Sequence, residues 1–294
     1  MNFIIPFIIL ITVVVFIHEY GHYYFARKYK VGVTDFSIGF GKELFGFNDK
    51  SGTRWKFCLI PLGGYVKFFG DRNVFSQAEQ AEILKKYSKE DQEKLFITKP
   101  LYQRALIVFG GPLANFLLAI LIFTSIYMFV GKDFTQPKID KITIDGPADK
   151  AGLMKDDIIL SINNNKILSI REVSTFINTS SSDTIDITVL RNDREITFTT
   201  ETKSIDAKDA FGNSIKKKII GISITPATNE INQKKLGPVS AIYYSVQEIW
   251  FVTKTTLSYV GSMIAGKADT SQLGGPIKIA KISGQVAEFG LLAF

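Results

Sequence analysis

The chain has 294 residues and a mass of 32.8 kDa, room for two soluble domains or for one domain with several membrane spans. Charged residues make up 21% and apolar residues 46%, which excludes a disordered chain, and the apolar residues gather in blocks, as in a membrane protein. The net charge of +7 comes without a basic stripe interleaved with aromatics, so no nucleic acid is expected as a partner, and the one cysteine, Cys58, excludes an intrachain disulfide or a multi-cysteine zinc site.

The first element is an uncharged apolar run over residues 3–17. It has signal-peptide length, but lacks a basic leader and a small-residue cleavage site. Its apolar character resumes at Tyr23, Tyr24, Phe25 and Ala26, so residues 1–26 are read as a first transmembrane helix. Residues 27–104 follow as a β-loop and polar connector. Short β-prone runs at 33–40, 54–60 and 65–69 are separated by turn signals at 48–52 and 61–64, which predicts a hairpin-like sheet.

Residues 105–130 carry no charge and form the second expected span. Gly110, Gly111 and Pro112 predict a kink or a close helix approach there. Asn115 is its one strongly polar side chain. It is read either as an interhelical hydrogen bond or as a substrate-binding group. Lys and Arg number ten on the flanks of the connecting loop, within 26–45 and 85–104, against four within 131–150. The loop is therefore expected in the cytoplasm and residues 131–236 on the opposite side.

Residues 137–203 alternate strand and helix signals, a small α/β unit, and 204–236 read as a polar connector with one added strand at 219–224. Pro238–Ile264 contains Gln247, Glu248 and Lys254 beside an apolar stripe, so 237–266 is expected to lie at the membrane surface as an amphipathic helix. Residues 267–294 end in an apolar run and read as the start of a truncated C-terminal membrane region.

The chemistry sits in the first span. His18-Glu19-Tyr20-Gly21-His22 is an H-E-x-x-H motif, and His18 and His22 are the only histidines. Four residues apart on a helix, both imidazoles reach one zinc ion, and Glu19 is placed as general base. Ionisable groups at membrane depth are costly, so they mark a functional site. A catalytic zinc wants a third protein ligand. Asp145-Gly146 does not qualify, because the charge count puts it on the wrong side. No further candidate is legible.

With these motifs the chain resembles the site-2 protease family, the bacterial RseP-like intramembrane zinc metalloproteases with a PDZ domain. The resemblance rests on HEYGH at 18–22, FSIGFGKELFGF at 36–47, LIPLGGYVKFFGD at 59–71, KPLYQRALIVFGGPLANF at 99–116 and LGGPIKIAKISGQVAEFG at 273–290. It implies a multi-pass α-helical membrane protein with a membrane-associated β-loop and one inserted PDZ-like α/β domain. It further implies Zn2+ on His18 and His22, Glu19 as catalytic base, and Gly39, Phe40 and Gly41 beside the substrate path.

The text GPADKAGLMKDDIILSINNNKI at 146–167 looks like a PDZ domain, with Asp156 where a glycine is usual. The partners implied are membrane-protein substrates, such as anti-sigma-factor-like proteins or signal-peptide remnants, a peptide or regulator at the PDZ domain, and the lipid bilayer. The location implied is the bacterial inner membrane. The family's third ligand is an aspartate in a Leu-Asp-Gly helix, and that helix is absent from residues 1–294. Two functions follow: an intramembrane zinc protease of regulated intramembrane proteolysis, or a non-catalytic membrane-anchored PDZ adaptor or remnant of one.

Overall fold

A computed structural model describes residues 4–70, 84, 86–180, 182–208, 214–228, 230–266 and 275–288. The chain forms two compact units, one of residues 1–119 with 275–294, the other of residues 120–274.

The first unit opens with helix α1, Ile4–Lys28, an apolar stretch of 25 residues. Helix α2, Leu101–Phe129, begins in the same unit and carries Pro112 inside it. Both are long and apolar enough to cross a membrane. Their backbones come very close at one place. A Cβ built on Gly21 would overlap the Gly110 carbonyl oxygen and come within 2.8 Å of Ala114 Cβ, while one on Gly110 would lie 2.6 Å from the Gly21 carbonyl oxygen. Only hydrogen fits at these two positions, the small-residue contact by which membrane helices pack.

Against α1 lies a sheet of two long strands, β1, Val33–Asn48, and β2, Arg54–Phe68. Each strand bends. The segment from Asp35 to Ile38 pairs with Lys67 to Gly64 on one side and with Arg54 to Phe57 on the other, while Glu43 to Asn48 pairs with Cys58 to Arg54. The two strands thus supply four side-by-side segments. The turn expected at 61–64 is not a turn: it lies within β2. The glycines there serve bends and close contacts. Gly63 has φ +150°, and a Cβ on it would run into the Phe40 ring. The turn expected at 48–52 is present, closed by Asp49 N–H donating to the Thr53 carbonyl at 2.9 Å.

Aromatic packing clamps the sheet to the helix. Phe36 is fully buried, stacks on Trp55 at 4.2 Å and meets Phe16 and Tyr23 of α1 edge-on, both at 5.8 Å. Tyr23 Oη and Trp55 Nε1 both donate to Asp49 Oδ2, at 2.8 and 3.1 Å. A final helix of this unit, α6 (Pro276–Glu288, numbered after α3 to α5 below), packs on α1 and buries the small residues Ala280, Ser283 and Gly284. The apolar run at 289–294 lies outside the described residues.

The second unit centres on a six-stranded sheet. Its strands are β4 (Pro137–Ile142), β5 (Ile158–Ile162), β6 (Asn165–Lys166), β7 (Thr184–Arg191), β8 (Arg194–Glu201) and β11 (Ile222–Pro226), in the order β11-β4-β5-β7-β8 with β6 on β5. Short strand β3 (Lys132–Asp133) pairs with β12 (Gln233–Lys234), and β9 (Lys203–Lys208) with β10 (Ser214–Ile219). Helices α3 (Pro147–Lys150) and α4 (Ile170–Thr179) accompany the sheet. Val173 and Ile177, one turn apart on α4, join Ile139, Ile159, Ile162, Ile185, Ile187 and Val189 in the core.

The core also contains Ile220, so the α/β unit does not close at residue 203. Strand β11, from the stretch expected to be a connector, pairs with β4 some eighty residues earlier, Ile222 opposite Ile142. Without it β4 would be an open edge. Asp157 is buried and accepts two hydrogen bonds from Arg191, both 2.7 Å, with the Met154 N–H at 2.8 Å. Asp156 has φ +72°, the backbone region that makes glycine usual at such a place.

The long helix α5, Pro238–Ile264, completes this unit. Its Glu248 is not a solvent-facing charge. It accepts from buried Lys132 at 3.3 Å and from Tyr127 Oη at 3.1 Å, and the Lys132 ammonium lies 5.1 Å from the Tyr127 ring centre. A buried ammonium requires such partners.

Candidate metal and peptidase centre

The H-E-x-x-H residues occupy the fifth and sixth turns of α1, where helical spacing stacks position 18 on position 22. The two imidazoles meet with Nε2 to Nε2 at 3.2 Å. Two nitrogens bound to a tetrahedral zinc at about 2.0–2.1 Å stand about 3.3–3.4 Å apart, so this spacing fits a shared ion.

The facing surface belongs to α2, which runs opposite to α1. Three positions four residues apart line it. The Ile107 carbonyl accepts from His22 Nδ1 at 2.8 Å, which puts the proton on Nδ1 and leaves Nε2 its lone pair. Gly111 lies across both rings. A Cβ on it would be 2.7 Å from His18 Nε2 and would overlap His22 Nε2. Asn115 Nδ2 lies 3.2 Å from His18 Nδ1. An open cradle at both Nε2 atoms, with one tautomer already set for ligation, fits a metal ion. Among the described residues, no group of three or more His, Cys, Asp or Glu side chains gathers to hold one.

Glu19 faces the sheet instead of α2. Its carboxylate lies at the Val66 backbone N–H, and a Cβ on Gly64 would come within 3.2 Å of Glu19 Cγ and 2.9 Å of Val15 Cγ1. The segment of β2 from Gly64 to Phe68 pairs with β1 on one side only among the described residues. Its other edge carries no strand among the described residues.

The structure thus separates the residues singled out in the sequence. His18, His22 and Asn115 come together. Gly39, Phe40 and Gly41 lie further out along β1, where Phe40 pairs with Ile60. Both glycines have φ +85°, and a Cβ on Gly39 would lie 2.7 Å from the Ile60 carbonyl oxygen, so they bend the strand. The sheet residues next to Glu19 are Gly64 and Val66. The sequence marks Gly64 only as part of an expected turn, and no sequence signal shows that it faces Glu19. The Ile107 carbonyl is a backbone group and has no sequence signal at all.

The model of peptidase family M50 matches residues 6–294. A Mesorhizobium japonicum protein provisionally named a zinc metalloprotease is 39% identical, over 98% of this chain and 78% of that protein. Metalloprotease MmpA of Caulobacter vibrioides is 32% identical, over 96% of this chain and 72% of that protein. Among solved structures, the PDZ domain of an SdrC-like protein from Listeria monocytogenes covers 31% of this chain and 88% of that domain, at 23% identity and a TM-score of 0.25. With a family match from residue 6 to residue 294 and relatives of this identity along nearly all of its length, the chain belongs to peptidase family M50.

Proposed function

We propose that this chain hydrolyses peptide bonds in transmembrane segments of other membrane proteins, with His18 and His22 as zinc ligands and Glu19 as general base. One observation carries the assignment: both Nε2 atoms converge in a cradle whose far wall is a glycine, with the glutamate beside them turned to Gly64 of β2. Zinc, when bound, supplies Lewis acidity that makes water nucleophilic near neutral pH and polarises a peptide carbonyl. Glu19 takes the proton of the attacking water and passes it to the departing amide nitrogen. The family resemblance puts its third ligand on an aspartate of a Leu-Asp-Gly segment, a pattern that residues 1–294 do not contain. The adaptor reading is not favoured, because His18, Glu19 and His22 are all retained and the relatives carry metalloprotease names.

A helical substrate hides its scissile bonds in its own hydrogen bonds. The outer edge of Gly64 to Phe68 offers main-chain groups to an unwound segment, which compensates groups that lipid would leave unpaired. The bends at Gly39 and Gly41 set the course of the sheet that carries this edge, and Phe40 remains 44% exposed beside it. Asn115 is assigned to His18 and not to the substrate.

The membrane assignment extends to a bacterial inner membrane with more than one span, α1 and α2 crossing it. The charge asymmetry supports the loop in the cytoplasm and the α/β unit outside. We read that unit as PDZ-like, supported by its sheet, by Asp156 at a left-handed position and by a groove of 480 Å³ between α4 and β11 lined by Ile177, Asn178, Gly221 and Ile224. Such a groove takes a peptide by strand addition. Helix α5 is assigned to the membrane surface.

The reading is tested by metal exchange in the full protein reconstituted with a tagged single-pass substrate. Chelation should abolish cleavage and zinc should restore it, while His18→Ala and His22→Ala should each lose the metal. Cleavage that persists in a zinc-free preparation would refute it.

A further inference from the structure

Each histidine needs its outer ring nitrogen held by a partner if its Nε2 is to face a metal. For His22 that partner is the Ile107 carbonyl, which only accepts and so fixes one tautomer. For His18 it is Asn115, and an amide can either donate or accept. Among the described residues, the buried amide oxygen of Asn115 has no hydrogen-bond partner, and the amide nitrogen meets His18, the group against which the amide turns.

As placed, the Asn115 amide N–H donates to His18 Nδ1 at 3.2 Å. The imidazole proton then sits on Nε2 and points at the Nε2 lone pair of His22, 3.2 Å away. In this arrangement both ring nitrogens of His18 have a partner, Asn115 at Nδ1 and His22 at Nε2. Turning the amide by half a rotation puts its oxygen on Nδ1. The proton moves to Nδ1, and both Nε2 lone pairs face the same point.

We propose that Asn115 is the positioning residue of His18, a two-position amide that donates to Nδ1 in the metal-free protein and accepts from Nδ1–H when zinc is bound. The proposal rests on the assignment of His18 and His22 as ligands. Its geometry is the four-residue stripe of α2: position 107 holds His22, position 111 leaves room at the metal, and position 115 holds His18. Asn115 does not touch the substrate in this scheme. It acts through His18.

The chain has two histidines only, so 15N-histidine spectra of the full protein in detergent read both tautomers directly. The metal-free wild type should show the His18 proton on Nε2 and move it to Nδ1 on zinc addition. Asn115→Asp offers an acceptor only, so its metal-free form should already carry the proton on Nδ1 and bind zinc at least as tightly as the wild type. Asn115→Leu offers neither, and zinc affinity measured against a competing chelator should fall about 10–100-fold, with an altered cobalt absorption spectrum. The melting curve of metal-free Asn115→Leu separates loss of fold from loss of ligand orientation, and the aspartate variant serves as the rescue. Zinc affinity of the leucine variant within twofold of wild type, or a metal-free Asn115→Asp with the proton still on Nε2, overturns the proposal while leaving the site assignment intact. Wild-type zinc affinity in His22→Ala would instead overturn the site assignment, and the Asn115 role with it.

Discussion

Gly21 and Gly110 touch backbone to backbone: no side chain larger than hydrogen fits between α1 and α2 at the turn that holds His22. This contact sets the distance from which Ile107, Gly111 and Asn115 reach the histidines. Gly21→Ala should therefore separate the helices, because the atom it meets is a carbonyl oxygen, which cannot rotate away. Overpacking of this kind costs about 1–3 kcal/mol. The expected result is a lower melting temperature together with weaker zinc binding. A variant with wild-type stability and affinity would show that the helices are not held at this distance.

Gly111 makes a separate prediction. Its methyl group would occupy the space of the two Nε2 atoms and not the space between backbones. Gly111→Ala should leave the helix pair folded but lose most of its zinc, with both histidines still present. Metal analysis after gel filtration measures this. Full zinc occupancy in the variant would place the ion elsewhere.

Asp49 gives a pH-dependent contact between helix and sheet. Burial would raise its carboxyl, but donation from Trp55, Tyr23 and the Thr53 and Ser51 N–H groups outweighs burial and holds it below the usual carboxylate range. A depressed folded pKa stabilises the fold above the unfolded value, near 4, and that stabilisation is lost as pH falls through the folded pKa. In a Trp250→Phe background, Trp55 fluorescence should therefore report loosening of the sheet below about pH 4. Asp49→Asn should remove the transition. An unchanged acid transition in Asp49→Asn would assign it to another group.

Asp156 predicts an order of stabilities. At φ +72° glycine is unstrained, aspartate is tolerated and a β-branched residue is not. Asp156→Gly should melt near the wild type. Asp156→Val should lose about 1–2 kcal/mol, through backbone strain. Equal losses in the two variants would trace the effect to the exposed Lys138 ion pair at 3.3 Å instead.

The sequence exposed what depends on local periodicity. The uncharged runs are visible as α1 and α2, and the four-residue spacing of the histidines is visible as one helix face. Asn115 stands out as the polar residue of α2, but its partner is 97 positions away and emerges only once the helices pair. The strand expected at 219–224 is present as β11, but its pairing with β4 is hidden for the same reason. In the β-loop, glycines mislead: Gly39, Gly41 and Gly63 suggest interruptions, yet β1 and β2 run through them by bending. Glu248 reads as a surface charge because its partners Lys132 and Tyr127 belong to a distant segment.

The central claim is that Glu19 performs the proton transfer of peptide hydrolysis at a zinc held by His18 and His22. Glu19→Gln in the full protein isolates it, since glutamine keeps the shape of the side chain and cannot act as a base. The measurement is zinc content together with cleavage of a co-reconstituted transmembrane substrate. The account predicts wild-type zinc and cleavage reduced by at least about a hundredfold. Cleavage at the wild-type rate, with zinc bound, would contradict it.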